Sequence, residues 1–229
     1  MKKVTTLCFL ILCFFMSCTS QAQDWANLNK YKKANKELNT TTPTNNNRVV
    51  FMGNSITEGW SNAMPSFFEN KNYINRGISG QTTPQMLIRF RQDVINLKPK
   101  VVVILAGTND IAGNTGPTTL DEITNNIKSM SELAITNNIK VIICSTLPAF
   151  DYPWSPNKEP NIKIPALNKK LKTYAKENNL IYLDYFSAMA TTENGLQKEH
   201  SGDGVHPNKK GYQIMAPLAE TAIKKALKQ

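Results

Sequence analysis

The run "VVVILAG" at 101–107 is apolar on both faces. A strand of that kind must be covered on both sides, and helices usually supply the cover. It is one of five strand-like runs. The others are "RVVFM" (48–52), "NYIN" (72–75), "KVIICST" (140–146) and "LIYLDY" (180–185). Helical patterns fall at about 62–70, 83–97, 119–137, 162–178 and 208–228. In the third, Ile123, Ile127, Met130 and Leu133 recur at steps of three and four, and Thr119 with Glu122 makes a capping box at its start. Strand–helix alternation repeated in this way predicts one α/β domain over 48–229: a five-stranded parallel sheet between two helical layers, α/β/α, flavodoxin-like. With 229 residues and 41% apolar content, the chain is long enough for one sizeable core, and no internal repeat or second domain is visible.

The residues ahead of this domain read differently. "MKK" followed by "LCFLILCFFM" (7–16) and a small, polar stretch predicts a secretory signal over 1–22, too short to span a bilayer. Two processing sites compete. Cleavage after Ala22 is preferred. "FMSC" ending at Cys18 resembles a lipoprotein signal, which would attach the chain to a membrane through a lipid at that cysteine. Either way the protein is expected to be exported, to the periplasm or beyond. Residues 23–47 are polar and end in "NTTTPTNNN", which predicts a short lead segment and a flexible linker.

After removal of 1–22 only Cys144 is left, so no intrachain disulfide can form, and its place in a strand marks it as a core residue. The formal charge of +10 falls to +8 with the loss of Lys2 and Lys3. The lysines are spread, and no stretch interleaves basic and aromatic residues, so a nucleic-acid partner is not expected. There is no phosphate loop, no dinucleotide fingerprint and no Cys-x-x-Cys. Two histidines with one cysteine do not predict a metal site, and no cofactor is expected.

In a parallel sheet the ligand site lies beyond the carboxyl ends of the strands. The loops there are "GNSITEG", "RGISGQTTP", "GTNDIAGNTGP" and "LPAFDYPWSPNKEP", and "SGDGVHPNKKGY" precedes the last helix. Ser55 stands at a strand-to-helix turn, where it is either a helix cap or a nucleophile beside backbone N–H groups. A serine nucleophile needs a base of near-neutral pKa, and histidine is the usual one. His206 follows Asp203 by three residues in a turn: either the carboxylate reaches Nδ1 and leaves Nε2 for the serine, or Asp203 only caps the turn and His206 is a surface residue, the commoner case for such a pair taken alone. Asp110 and Glu58 read as solvated or structural; His200 reads as loop decoration, with substrate binding as the alternative.

"GNS", "NRGISG", "GTND" and "DGVHPN", in that order over about 48–228, resemble the four blocks of the SGNH, or GDSL-type, hydrolases. The resemblance implies a serine esterase acting through an acyl-enzyme without a cofactor, with Ser55 as nucleophile, His206 as base and Asp203 orienting it. It implies an oxyanion hole from the backbone N–H of Ser55, that of Gly77 and the side-chain amide of Asn109. One departure is that Asn54 stands where the family usually has Asp. Export and a polar rim suggest O-acetyl groups on carbohydrate, a small-molecule or glycan ester. A lysophospholipase or broad acyl-ester hydrolase is the same-class alternative. A non-catalytic carbohydrate-binding protein is a third reading, disfavoured because all three triad residues are present. Tyr152 and Trp154, on a loop of 148–160 with four prolines, are the candidate substrate-binding aromatics, with local packing as the competing reading.

Overall fold

A computed structural model describes residues 24–41, 47–69 and 71–228. The expected signal (1–22) and residues 42–46 of the expected linker lie outside the described residues. Five strands, β1 (Val49–Gly53), β2 (Tyr73–Gly77), β3 (Val101–Leu105), β4 (Lys140–Cys144) and β5 (Ile181–Leu183), form one parallel sheet in the order β2-β1-β3-β4-β5. The register sets Gly53 opposite both Gly77 and Leu105, so three carboxyl ends open side by side. The chain runs from β1 to one neighbour and then crosses to the other. That switch creates a crevice between the ends of β1 and β3.

The helices are α1 (Lys32–Thr41), α2 (Ser55–Ala63), α3 (Thr83–Asp93), α4 (Thr108–Ala112), α5 (Leu120–Thr136), α6 (Pro160–Glu177), α7 (Phe186–Met189) and α8 (Lys209–Lys228). Alternate strand residues serve opposite layers, as a two-residue side-chain period requires. Val50, Met52, Val102, Ile104, Val141 and Ile143 pack with Met86, Phe90, Ile127, Met130, Leu167 and Leu171 of α3, α5 and α6. Val49, Phe51, Val103, Leu105, Ile142 and Cys144 pack with Ile56 and Trp60 of α2 and with Tyr212, Met215 and Ile223 of α8. Burying each of the larger side chains contributes about 1.5–3 kcal/mol. Among the described residues no helix is long and apolar enough to cross a membrane. Cys144 is buried, and burial pushes its thiol pKa up, away from reactive thiolate.

The first helix after β1 differs from the expected 62–70. It begins at Ser55, because the Asn54 side chain accepts from Ile56 N–H at 3.1 Å and caps the start at once. Pro65 then opens a separate 3-10 turn, Pro65–Phe67, instead of continuing a helix.

The lead segment carries α1. Residues 24–41 dock on α3 and the loop before it. Three glutamine amides, of Gln81, Gln85 and Gln92, donate to the carbonyls of Ala26, Trp25 and Leu28 at 2.7, 2.6 and 2.7 Å. Asn35 donates to Asp93 at 2.6 Å, and Tyr31 donates its hydroxyl to Gly77 O.

Candidate active site

β1 delivers the chain to the rim through Gly53. A Cβ there would stand 2.0 Å from Thr57 Oγ1 and 2.8 Å from Leu105 O, so only glycine lets the helix turn back so tightly. Ser55 is therefore the first residue of α2, with its N–H in the unpaired first turn. Asn54 does the capping that the usual Asp would do, which accommodates the departure at that position.

Ser55 Oγ lies 2.9 Å from His206 Nε2. His206 Nδ1 lies 2.6 Å from Asp203 Oδ2. The second carboxylate oxygen, Asp203 Oδ1, accepts from Val205 N–H at 2.9 Å and His206 N–H at 2.8 Å, and Ser201 Oγ stands 3.1 Å away. Ser201 Oγ also lies 2.8 Å from His206 O and accepts from Gly204 N–H at 2.9 Å. Partial burial works to raise the pKa of Asp203. The hydrogen bonds from His206 and Val205 and the charge of the ring outweigh it, holding the carboxyl down at about 2. An ionised Asp203 takes Nδ1–H and turns the Nε2 lone pair toward Ser55. The serine and histidine sides are tied together by Tyr212 of α8, whose hydroxyl donates to Ile56 O at 2.7 Å.

Asn109 is on α4, a short helix in a loop expected to be irregular, and is 2% exposed. Its Nδ2 donates to Gln81 O at 3.0 Å, and its second N–H finds no acceptor among the described residues. Gly77 does not meet its expected part. Its N–H is taken by Asn75 Oδ1 at 2.8 Å, and it lies beneath α2, where a Cβ would be 2.1 Å from Glu58 N. Its glycine is a packing requirement. Three residues on, the N–H of Gly80 has no acceptor among the described residues, while Gly80 O accepts from Asn114 Nδ2 at 3.0 Å.

The aromatic loop divides in two. Tyr152 is corrected to a core residue: it is 0% exposed, with its hydroxyl 2.9 Å from Thr108 Oγ1. Trp154 is 44% exposed and inclines over His206, ring centroids 5.9 Å apart, with Nε1 donating to Asn114 Oδ1 at 3.1 Å. His200 lies in a 3-10 turn, Lys198–His200, and its carbonyl accepts from Asn208 N–H; no hydrogen bond joins it to Ser55. Asp110 is buried and accepts from Thr83 N–H and Oγ1. Burial raises its pKa against those bonds. Glu58 accepts from Ser79 N–H at 2.7 Å and pairs with Lys30 at 2.9 Å, pinning the loop after β2.

Sequence reading missed Ser201, Gln81, Asn114 and Gly80 as parts of this site. Only the last carried a signal, as the second glycine of "GISG".

Residues 51–214 match the GDSL-like Lipase/Acylhydrolase family. The chain belongs to that family. It is a carboxylic ester hydrolase. Among solved structures it is similar to a Bacteroides fragilis protein assigned as an acylhydrolase, 50% identical, with a TM-score of 0.86 over 90% of this chain and 99% of that one. Among characterised sequences this acylhydrolase is 28% identical over 182 residues to human platelet-activating factor acetylhydrolase IB subunit alpha2, covering 75% of this chain and 74% of that protein. It is 26% identical over 213 residues to an acetylxylan esterase of Xylanibacter ruminicola, covering 77% of this chain and 43% of the longer relative.

Proposed function

We propose that this acylhydrolase is an exported serine esterase that removes O-acetyl groups from carbohydrate, with Ser55 as nucleophile. The observation that carries the reading is the unbroken line from Ser55 Oγ through His206 to Asp203, 2.9 and 2.6 Å, at the β1–β3 crevice. His206 Nε2 takes the Ser55 proton as Oγ bonds to the acyl carbon. The carbonyl electron pair moves onto oxygen and returns as the alcohol leaves with the proton from His206. Water then repeats the sequence on the acyl-enzyme and releases acetate. The developing oxyanion is held by Ser55 N–H, Gly80 N–H and the second N–H of Asn109 Nδ2. Gly80 takes the part first expected of Gly77.

The acetyl group is supported by the two named relatives, both acetyl-ester hydrolases by name. The carbohydrate is supported by Trp154, an exposed ring beside the general base on which a sugar face can stack. Export rests on residues 1–22, with attachment through Cys18 as the alternative to release after Ala22. The test is a rate panel of acetyl, butyryl and octanoyl p-nitrophenyl esters, then acetylated xylan against an acetylated phospholipid. Preference for acetyl and for xylan supports the reading. Preference for octanoyl esters, or for the phospholipid, replaces it with a broader acyl-ester or lipid-directed hydrolase.

A further inference from the structure

Beneath the rim lies a set of charged and amide side chains that the chemistry above does not use. Arg89 of α3 is 0% exposed and all three of its nitrogens are engaged. Nε donates to Gln81 Oε1 at 2.5 Å and Nη1 to Asp93 Oδ2 at 3.0 Å. Nη2 donates to Gly53 O at 3.0 Å and Arg76 O at 2.9 Å. Gln81 is buried as well, and each of its polar atoms named here has a partner. Its Oε1 faces Arg89, its Nε2 donates to Ala26 O of the docked lead segment at 2.7 Å, and its backbone carbonyl accepts from Asn109.

The ends of this network decide what it does. Gly53 precedes Ser55 by two residues. Gln81 follows Gly80 directly and is the acceptor that fixes the Asn109 amide. Gly80 thus adjoins Gln81, Asn109 is one hydrogen bond from it, and Ser55 lies two residues from Gly53, whose carbonyl Arg89 holds. A guanidinium is a rigid planar fork. Holding Gly53 O with one nitrogen and Gln81 Oε1 with another fixes the separation of the two loops that supply the donors. An oxyanion hole works only if its donors are already in place, and errors of about 1 Å can cost on the order of a hundredfold in rate.

We propose that Gln81, clamped by Arg89 and by Ala26 O of the lead segment, is the positioning residue of the oxyanion hole. It acts on turnover through Asn109, the donor that its backbone carbonyl holds, and does not touch substrate. This rests on the proposed role of Ser55 and its oxyanion donors.

The test is a double-mutant cycle in the full chain with p-nitrophenyl acetate, with thermal unfolding followed in parallel. Gln81→Met removes both side-chain bonds. It should lower kcat by about 10- to 100-fold with KM changed less than about twofold. In an Asn109→Ala background the same change should cost no more than about threefold further, because the group it positions is gone. Arg89→Lys keeps a charge for Asp93 but cannot bridge Gly53 O and Gln81 Oε1. It should show the same loss and the same non-additivity, and it carries the test should Gln81→Met fail to fold. Equal losses in both backgrounds would show a general stability effect and overturn the inference. So would a slow Asn109→Ala enzyme beside folded Gln81→Met and Arg89→Lys chains of near-normal kcat, leaving the oxyanion reading intact. An Asn109→Ala enzyme of full kcat would remove the oxyanion reading, and this inference with it.

Discussion

Tyr212 on the last helix donates its hydroxyl to Ile56 O at 2.7 Å, across 156 residues of chain. Ile56 is next to Ser55, and Tyr212 sits in the first turn of the helix that follows His206. The bond therefore sets the distance between two residues that have to stay in contact. Tyr212→Phe should cost about 1 kcal/mol of stability. It should lower kcat by about three- to tenfold, as Ser55 and His206 lose alignment. Urea unfolding and steady-state kinetics on one preparation check both.

The pH response follows from Asp203. Its folded pKa, about 2, lies below the ordinary value of 3.8, so folding favours the ionised form. The stability it contributes is complete above about pH 4 and is lost as pH falls through 2. Its side chain is 44% exposed, so that contribution is small. For turnover, Asp203 stays ionised through the working range. Asp203→Asn should lower kcat by about 10²- to 10⁴-fold. The profile of kcat/KM from pH 4 to 9 for both chains tests this. An unchanged rate in the variant contradicts it.

Arg89 and Asp93 form an ion pair at 3.0 Å with both side chains fully buried. Removing one partner strands the other charge away from water. Asp93→Ala should destabilise the fold by about 3–5 kcal/mol, read as a drop in the urea midpoint. Lys33 and Glu37, 3.9 Å apart on the surface of α1, provide the contrast. Lys33→Ala should change stability by less than about 0.5 kcal/mol.

Trp154 is the aromatic of its loop that leans on His206, the proposed base. If it stacks on the sugar, Trp154→Ala should raise KM for acetylated xylo-oligosaccharides by about tenfold. The rise for p-nitrophenyl acetate should be smaller. Equal effects on the two substrates would assign the ring to holding His206 and Asn114 instead.

Much of this site was legible in the sequence for a physical reason. A parallel sheet sends its functional loops to one rim, so locating the strands located Ser55, Asn109 and His206 together. The Asp203–His206 turn was legible because three residues suffice to bring the two side chains together. The rest depended on geometry that spacing does not encode. Gly77 and Gly80 differ in which N–H the Asn75 side chain captures. Tyr152 and Trp154 are two residues apart, yet one is fully buried and the other open, which depends on how a proline-rich loop folds. The lead segment is held to the domain by glutamine amides meeting backbone carbonyls, a pattern with no apolar period to reveal it.

The central claim is that Ser55 is the nucleophile. Reaction with a fluorophosphonate, followed by intact mass and peptide mapping, tests it most directly. The account predicts a single adduct on Ser55, and in Ser55→Ala no adduct and a kcat lower by about a thousandfold or more in a chain that still folds. An adduct on another serine, or a fully active Ser55→Ala enzyme, would contradict it.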